Sequence, residues 1–156
     1  MSRLKEKMHP VHVVLVHFPS ALYPFSLVMD SLGIYQSNLS FSASAYYALL
    51  FAFLSSLLAA LFGIIDYLKI QAESTAFRTA SIHGALNVLW MFGFAVAIKL
   101  RYNHFNADEQ PSMIYIFTLT VLVIGMAFSN HLGGDLVFRH RIGAKKSNPP
   151  IDTKNR

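Results

Sequence analysis

Histidines set inside long apolar segments are the residues of this sequence best suited to chemistry. The chain has 7 histidines. His17, His83 and His131 each lie roughly one to two helical turns inside an apolar segment, at about 1.5 Å of rise per residue. Asp66 ends the remaining apolar segment at a comparable level. Because imidazole nitrogens ligate haem iron, Zn, Fe and Cu, and a carboxylate can complete such a site, the spacing predicts one layer that gathers these side chains.

Polar neighbours of the histidines favour an inward-facing layer. Asn87 follows His83 by four positions and shares its helical face, as do Trp90 and Phe94 further along. A charged side chain at the middle of a membrane helix costs about 2.5 to 3.5 kcal/mol, and ionisable groups there usually face the interior of a bundle. We therefore expect the ionisable groups to point inward, with Arg78 as a cation near the polar edge of the layer.

Composition places the chain in a membrane. It has 156 residues, 54% of them hydrophobic and only 13% charged, whereas a soluble domain carries about 25% charged residues. The absence of cysteine excludes disulfides, thiolate metal sites, iron–sulfur clusters and covalently attached haem. The net charge of +5 does not indicate nucleic acid, because the basic residues lie between apolar segments and do not form one polar face.

Four segments are long and apolar enough to cross a bilayer, which takes about 20 predominantly apolar residues. Their short connections predict an all-α, up-down-up-down antiparallel bundle. No internal repeat is evident. We divide the chain into an N-terminal segment at 1–9, a transmembrane domain at 10–142 and a flexible basic tail at 143–156. The predicted spans are Pro10–Ile34, Ala43–Leu68, Thr79–Leu100 and Ser112–Leu132.

Basic residues predict the orientation of the bundle. Of the 13 Lys and Arg residues, only Lys99 and Arg101 fall on the side that holds the first and third connections. By the positive-inside rule the other side, with both termini, is cytoplasmic. The predicted location is a bacterial cytoplasmic (inner) membrane. Six histidines share that cytoplasmic side: His9, His12, His17, His83, His131 and His140.

Non-covalent haem b is the cofactor that this pattern favours, in a protein that transfers electrons. A haem with two histidine ligands needs imidazoles from different helices on opposite faces of the porphyrin. Because the first and third helices of such a bundle are diagonal, His17 and His83 are the preferred axial pair. His131 is the competing ligand, or the partner of His12 or His140 in a second haem. Asn87 and Asp66 would then orient ligands, and Arg78 would pair with a propionate.

Two other hypotheses remain open. A Zn, Fe or Cu ion could be held by His17, His83, His131 and Asp66, although no helix supplies two ligands at a suitable spacing. Alternatively, the chain is a structural subunit of a larger membrane redox complex. No catalytic motif is present, so we expect an electron carrier or subunit and not a stand-alone enzyme. Its partners would be the lipid bilayer, a redox protein or quinone, and other subunits or copies of itself.

Four motifs in order resemble the bacterial membrane family called domain of unknown function 2231, over roughly residues 9 to 143. The resemblance implies a four-helix inner-membrane protein. Some members of that family carry an added Rieske or c-type cytochrome domain, which implies membrane redox chemistry. The recurring residues correspond to His17, Asp66, His83, Asn87, His131 and Asp135. The motifs are His12-Val-Val-Leu-Val-His17-Phe-Pro, Gly63-Ile-Ile-Asp66-Tyr, His83-Gly-Ala-Leu-Asn87 and His131-Leu-Gly-Gly-Asp135.

Overall fold

The computed structural model describes residues 11–106, 109–140 and 142. The predicted N-terminal segment at 1–9 and the predicted basic tail at 143–156 lie outside these described residues. Within them the secondary structure is helical and contains no strand. The prediction of an all-α protein is therefore confirmed.

Five helices form four membrane-spanning rods. Because α1 and α2 follow each other with one turn residue between them, they make up the first span. Each of the four rods is long and apolar enough to cross a membrane, which confirms the predicted count. The helices are α1 (Val11–Leu15), α2 (His17–Gln36), α3 (Leu39–Tyr67), α4 (Thr75–Asn106) and α5 (Met113–Phe138).

Residues in the connections fix several helix ends, either by their backbone conformation or by their side chains. Ser37 takes a left-handed conformation with φ of 50° after α2, and the side chain of Asn38 accepts a hydrogen bond of 2.9 Å from the backbone N–H of Ser40. Ser112 caps α5 in the same way, accepting from the N–H of Tyr115 at 3.2 Å. Such caps satisfy backbone donors that a helix start would leave unpaired.

Two helices extend by more than a full turn beyond their predicted ends. We predicted that the third span ends at Leu100, but α4 continues to Asn106. We predicted that the fourth ends at Leu132, but α5 continues through Gly133 and Gly134 to Phe138. Glycine is tolerated inside a helix that packing supports. The first extension matters for function, because it carries Arg101 into the bundle.

The helices pack as an antiparallel square. α2 contacts α3 and α5, while α4 also contacts α3 and α5. Therefore α2 and α4 lie on one diagonal, as predicted for the first and third spans. We refer to the end of the bundle that holds His12 and His83 as the histidine end, and to the opposite end, which holds Arg101, as the arginine end.

Side chains on the diagonal helices show that the two halves of the chain repeat each other. The rings of Tyr23 and Phe94 stack across the bundle with centroids 3.5 Å apart. Asp30 and Arg101 form an ion pair across the same diagonal, and they are 71 residues apart in sequence. Tyr23 and Phe94 have the same separation. One shared offset shows that α2 and α4 run parallel and in register. The contact that His12 makes with α3 recurs between His83 and α5, so the first hairpin (α1 to α3) and the second hairpin (α4 and α5) are equivalent units.

The outer helices of the two hairpins follow the repeat as well. Leu49 on α3 and Leu119 on α5 are both fully buried, and their separation is one residue shorter than that of the diagonal pairs. Ala52 and Leu122 are separated by the same number of residues and are also buried. The sequence analysis found no repeat, so the structure corrects it. The hairpins are related by an approximate two-fold axis along the bundle.

Close packing between α4 and α5 gives a stability prediction. A Cβ added at Gly125 would lie 2.6 Å from a ring carbon of Trp90, whereas one added at Gly84 would meet nothing within 4 Å. Forcing extra volume into a packed interface costs about 1 to 3 kcal/mol. We expect Gly125→Ala to lower the thermal unfolding midpoint of the detergent-solubilised protein, followed by its single Trp. Gly84→Ala is the control, and an equal effect of both changes would contradict the packing.

Candidate functional site

His83 is held by a hydrogen-bond network between α4 and α5. Its Nδ1 lies 2.9 Å from the backbone carbonyl oxygen of Ser129. A carbonyl can only accept, so Nδ1 carries the proton and Nε2 presents a lone pair. That lone pair accepts from the side-chain amide of Asn87 at 2.9 Å. The hydroxyl of Ser129 donates to the Asn87 carbonyl at 2.9 Å, so the network fixes the tautomer and orientation of the imidazole.

A glycine on the neighbouring helix makes room for the His83 ring. A Cβ at Gly133 would lie 2.8 Å from Cε1 of His83. Gly133 is one helical turn from Ser129, the residue whose carbonyl receives the Nδ1 proton. The ring therefore lies directly against the backbone of α5. This explains a glycine at that position without any need for a turn, since α5 continues past it.

His12 repeats this arrangement in the first hairpin. Its Nδ1 lies 2.7 Å from the backbone carbonyl oxygen of Ala59 on α3. A Cβ at Gly63, one turn further along α3, would lie 3.0 Å from Cε1 of His12. Thus His12 also donates from Nδ1 and also lies against a glycine. Its Nε2 makes no hydrogen bond within the described part of the chain.

The internal repeat relates the two imidazoles. His12 and His83 are separated by the same number of residues as Asp30 and Arg101. Each histidine lies 11 positions, or about three turns, before the stacked aromatic residue of its own helix, which is Tyr23 or Phe94. Residues three turns apart share a face of a helix. His83 therefore lies on the face of α4 that carries Phe94, and His12 lies at the corresponding level of the first span, against α3.

The structure places His17 and His131 away from the interior. His17 is exposed, and its Nδ1 bonds within its own helical segment to the carbonyl of Val13 at 2.7 Å. His131 is exposed on α5, two residues from the buried Ser129 and hence on nearly the opposite face of that helix. Neither joins the network of His83 and Asn87.

Two further predicted residues, Asp66 and Arg78, lie near the histidine end but do not bond to His83. Asp66 forms an ion pair with Lys69 at 2.8 Å, and Arg78 is exposed at the start of α4. Asn87, by contrast, contacts His83 as its position on the helix suggested. In the described ranges, no group of three or more His, Asp or Glu residues is placed so that it could hold a metal ion.

A buried ion pair at the arginine end was missed by the sequence analysis. Asp30 and Arg101 are both fully buried, and Nε of Arg101 lies 3.1 Å from the Asp30 carboxylate. Nη2 of Arg101 also donates to the backbone carbonyl of Ser42 at 2.9 Å. We had placed Arg101 among the loop cations, so this is a correction. The sequence did contain a signal for this burial, because Arg101 lies on the same face of α4 as His83 and Phe94.

Gly33 brings α2 and α3 together beside this ion pair. A Cβ at Gly33 would lie 2.6 Å from the hydroxyl oxygen of Ser42. That hydroxyl donates to the side-chain carbonyl of Gln110 at 2.6 Å. The close approach sets the carbonyl of Ser42 where the Arg101 guanidinium can reach it. Of the two loop cations assigned to this end, Lys99 alone is exposed.

Comparison with known proteins gives a family and no individual relative. Neither the curated proteins nor the solved structures contain a match to this chain. A family model described as a predicted membrane protein, DUF2231, matches residues 8–146. That range includes all four membrane-spanning rods, together with His12, His83 and the buried ion pair. The chain therefore belongs to the DUF2231 family of predicted membrane proteins.

Proposed function

We propose that this protein binds haem b at the histidine end of its bundle and transfers electrons, and that His12 and His83 would hold the haem. The proposal rests on the observation that these two imidazoles are held by the same kind of hydrogen bond. Each donates its Nδ1 proton to a backbone carbonyl of the neighbouring helix, at 2.7 Å and 2.9 Å. This hydrogen bond is the usual means of orienting a ligating histidine, and it leaves Nε2 for the metal.

The residues present fit a non-covalent haem. The two imidazoles come from different hairpins, as ligation of opposite porphyrin faces requires, and no cysteine is available for covalent attachment. Haem b supplies an iron that accepts and releases one electron. Asn87, which donates to Nε2 of His83, is the group that would yield to the iron. The exposed cation of Arg78 would pair with a propionate.

His12 replaces His17 as the preferred partner of His83 in this proposal. Both His12 and His17 come from the first span, so either satisfies the diagonal argument from sequence. His17, however, is exposed and bonded to its own helical segment, whereas His12 lies against Gly63 in the bundle. His131 stays a candidate ligand for a second haem at an outer face. Among the described residues, Lys69, Arg78 and Arg139 lie at the histidine end, and these cations support a cytoplasmic location for that end, in a bacterial inner membrane.

The absorption spectrum of the purified protein tests this proposal. Protein from haem-sufficient cells is expected to show a low-spin b-type spectrum that sharpens on reduction with dithionite, with one haem per chain by pyridine haemochrome assay. A colourless preparation with stoichiometric Zn, Fe or Cu would favour an ion site instead. A preparation with neither haem nor metal would favour a structural subunit of a membrane complex.

A further inference from the structure

A cavity of about 310 Å³ opens at the arginine end, between the start of α3 and the end of α4. It lies at the opposite end of the bundle from the histidines, so the proposed haem does not account for it. Its apolar walls are contributed by Leu39, Ala43 and Phe105, and its polar groups by Ser40, Ser42, Glu109 and Arg101. The volume suits a single small ring.

Arg101 has one nitrogen without a partner. Its Nε is bonded to Asp30 and its Nη2 to the carbonyl of Ser42. Nη1 is buried and has no hydrogen-bond partner in the described part of the chain. An unsatisfied donor on a fully buried side chain is unfavourable, and more so when the group is charged. Arg101 also lines the cavity, so a molecule bound there lies beside the guanidinium. A small movement of the Arg101 side chain would then let that molecule supply the missing acceptor.

The charges around the cavity favour an uncharged acceptor. The carboxylate of Asp30 already balances the guanidinium of Arg101. Glu109 adds a second carboxylate to the cavity wall, where it lies 3.5 Å from Nδ1 of His104. An anionic ligand would meet these carboxylates without an unbalanced cation to offset them. A carbonyl oxygen on an apolar ring avoids that repulsion and satisfies Nη1.

We propose that this cavity binds the ring of a membrane quinone, with one ring carbonyl accepting a hydrogen bond from Nη1 of Arg101. A quinone is uncharged, planar and membrane-soluble, and its ring can contact Phe105 while the carbonyl contacts Arg101. A lipid ester offers the same carbonyl chemistry, but it brings a phosphate that Glu109 would repel. The proposal goes beyond the haem site and does not depend on it.

Binding of ubiquinone-1 to haem-free protein in phosphatidylcholine nanodiscs tests the proposal. Ala43→Trp fills the cavity and leaves both Asp30 and Arg101 in the chain, and we expect it to weaken binding about tenfold or more because the indole ring occupies the site. Ala127→Trp, at an exposed position on α5, is the matched control and should bind as the wild type does. A double variant, Asp30→Asn with Arg101→Gln, removes the charged donor and should weaken binding similarly.

Several results would overturn the quinone assignment. Equal affinity of wild type and Ala43→Trp would show that ubiquinone-1 binds elsewhere. If the wild type showed no saturable binding of ubiquinone-1, the acceptor for Nη1 of Arg101 would be water and not a quinone. Affinity that is lower in phosphatidylcholine nanodiscs than in lipid-free detergent micelles would identify a lipid ester as the occupant. Because the protein is haem-free, failure of the haem proposal leaves each outcome interpretable.

Discussion

Replacing His83 by alanine is expected to abolish the b-type absorbance of the purified protein. The substitution removes a proposed haem ligand and also leaves the carbonyl of Ser129 without its donor. His12→Ala should have the same effect, because its ring is the equivalent group of the other hairpin. The measurement is the reduced-minus-oxidised spectrum, scaled to the amount of folded protein eluting from a sizing column.

His17→Ala provides the control for these two variants. His17 is exposed and bonded only to the carbonyl of Val13, so its loss should leave the spectrum and the haem content unchanged. If His17→Ala removed the b-type absorbance and His12→Ala did not, the ligands would be His17 and His83, as the sequence predicted. If neither His12→Ala nor His83→Ala changed the spectrum, the proposed site would be wrong.

Replacing Arg101 by alanine is expected to cause the largest loss of stability of any single substitution discussed. The change leaves the carboxylate of Asp30 fully buried without its cation. Removing one partner of a buried ion pair costs about 3 to 5 kcal/mol. The free energy of unfolding should fall by a comparable amount, measured by far-ultraviolet circular dichroism during titration of the micellar protein with sodium dodecyl sulfate.

Two further variants separate burial from charge in that experiment. Lys99→Ala removes an exposed cation near Arg101 and should change the unfolding free energy by less than about 0.5 kcal/mol, as surface substitutions do. The double variant Asp30→Asn with Arg101→Gln removes both charges and should recover much of the loss, because no unpaired charge stays buried. A small effect of Arg101→Ala would show that the pair is not isolated from water.

Hydropathy and length were sufficient to predict the fold class. A bilayer requires about 20 apolar residues in a helix whatever their order, so the four spans were visible without knowledge of packing. Short connections then left few topologies, and the diagonal placement of α2 and α4 follows from them.

The depth of His83 and its face of the helix could be predicted, but its partner in the first span could not. His12 and His17 are five residues apart, about 7.5 Å along a helix axis, and it is His12 that contacts α3 while His17 is exposed. Direction depends on helix continuity and packing, and here a turn residue separates α1 from α2. For His83 the direction was recoverable, because Asn87, Trp90 and Phe94 mark one face.

The burial of Arg101 escaped prediction because charge was taken as a sign of the helix end. Hydropathy falls at Arg101, so the third span was ended one residue earlier. The partner that makes its burial possible, Asp30, lies on another helix and far away in sequence. The repeat was hidden for a related reason, since equivalent positions carry different side chains, such as Tyr23 and Phe94 or Asp30 and Arg101.

Opposite charges at equivalent positions make the two halves of the chain unable to substitute for each other. Two copies of the first hairpin would set one Asp30 against another inside an apolar medium, and two copies of the second would oppose two guanidiniums. Like charges so placed would repel strongly. Joining the two hairpins in one chain therefore ensures that every Asp30 meets an Arg101.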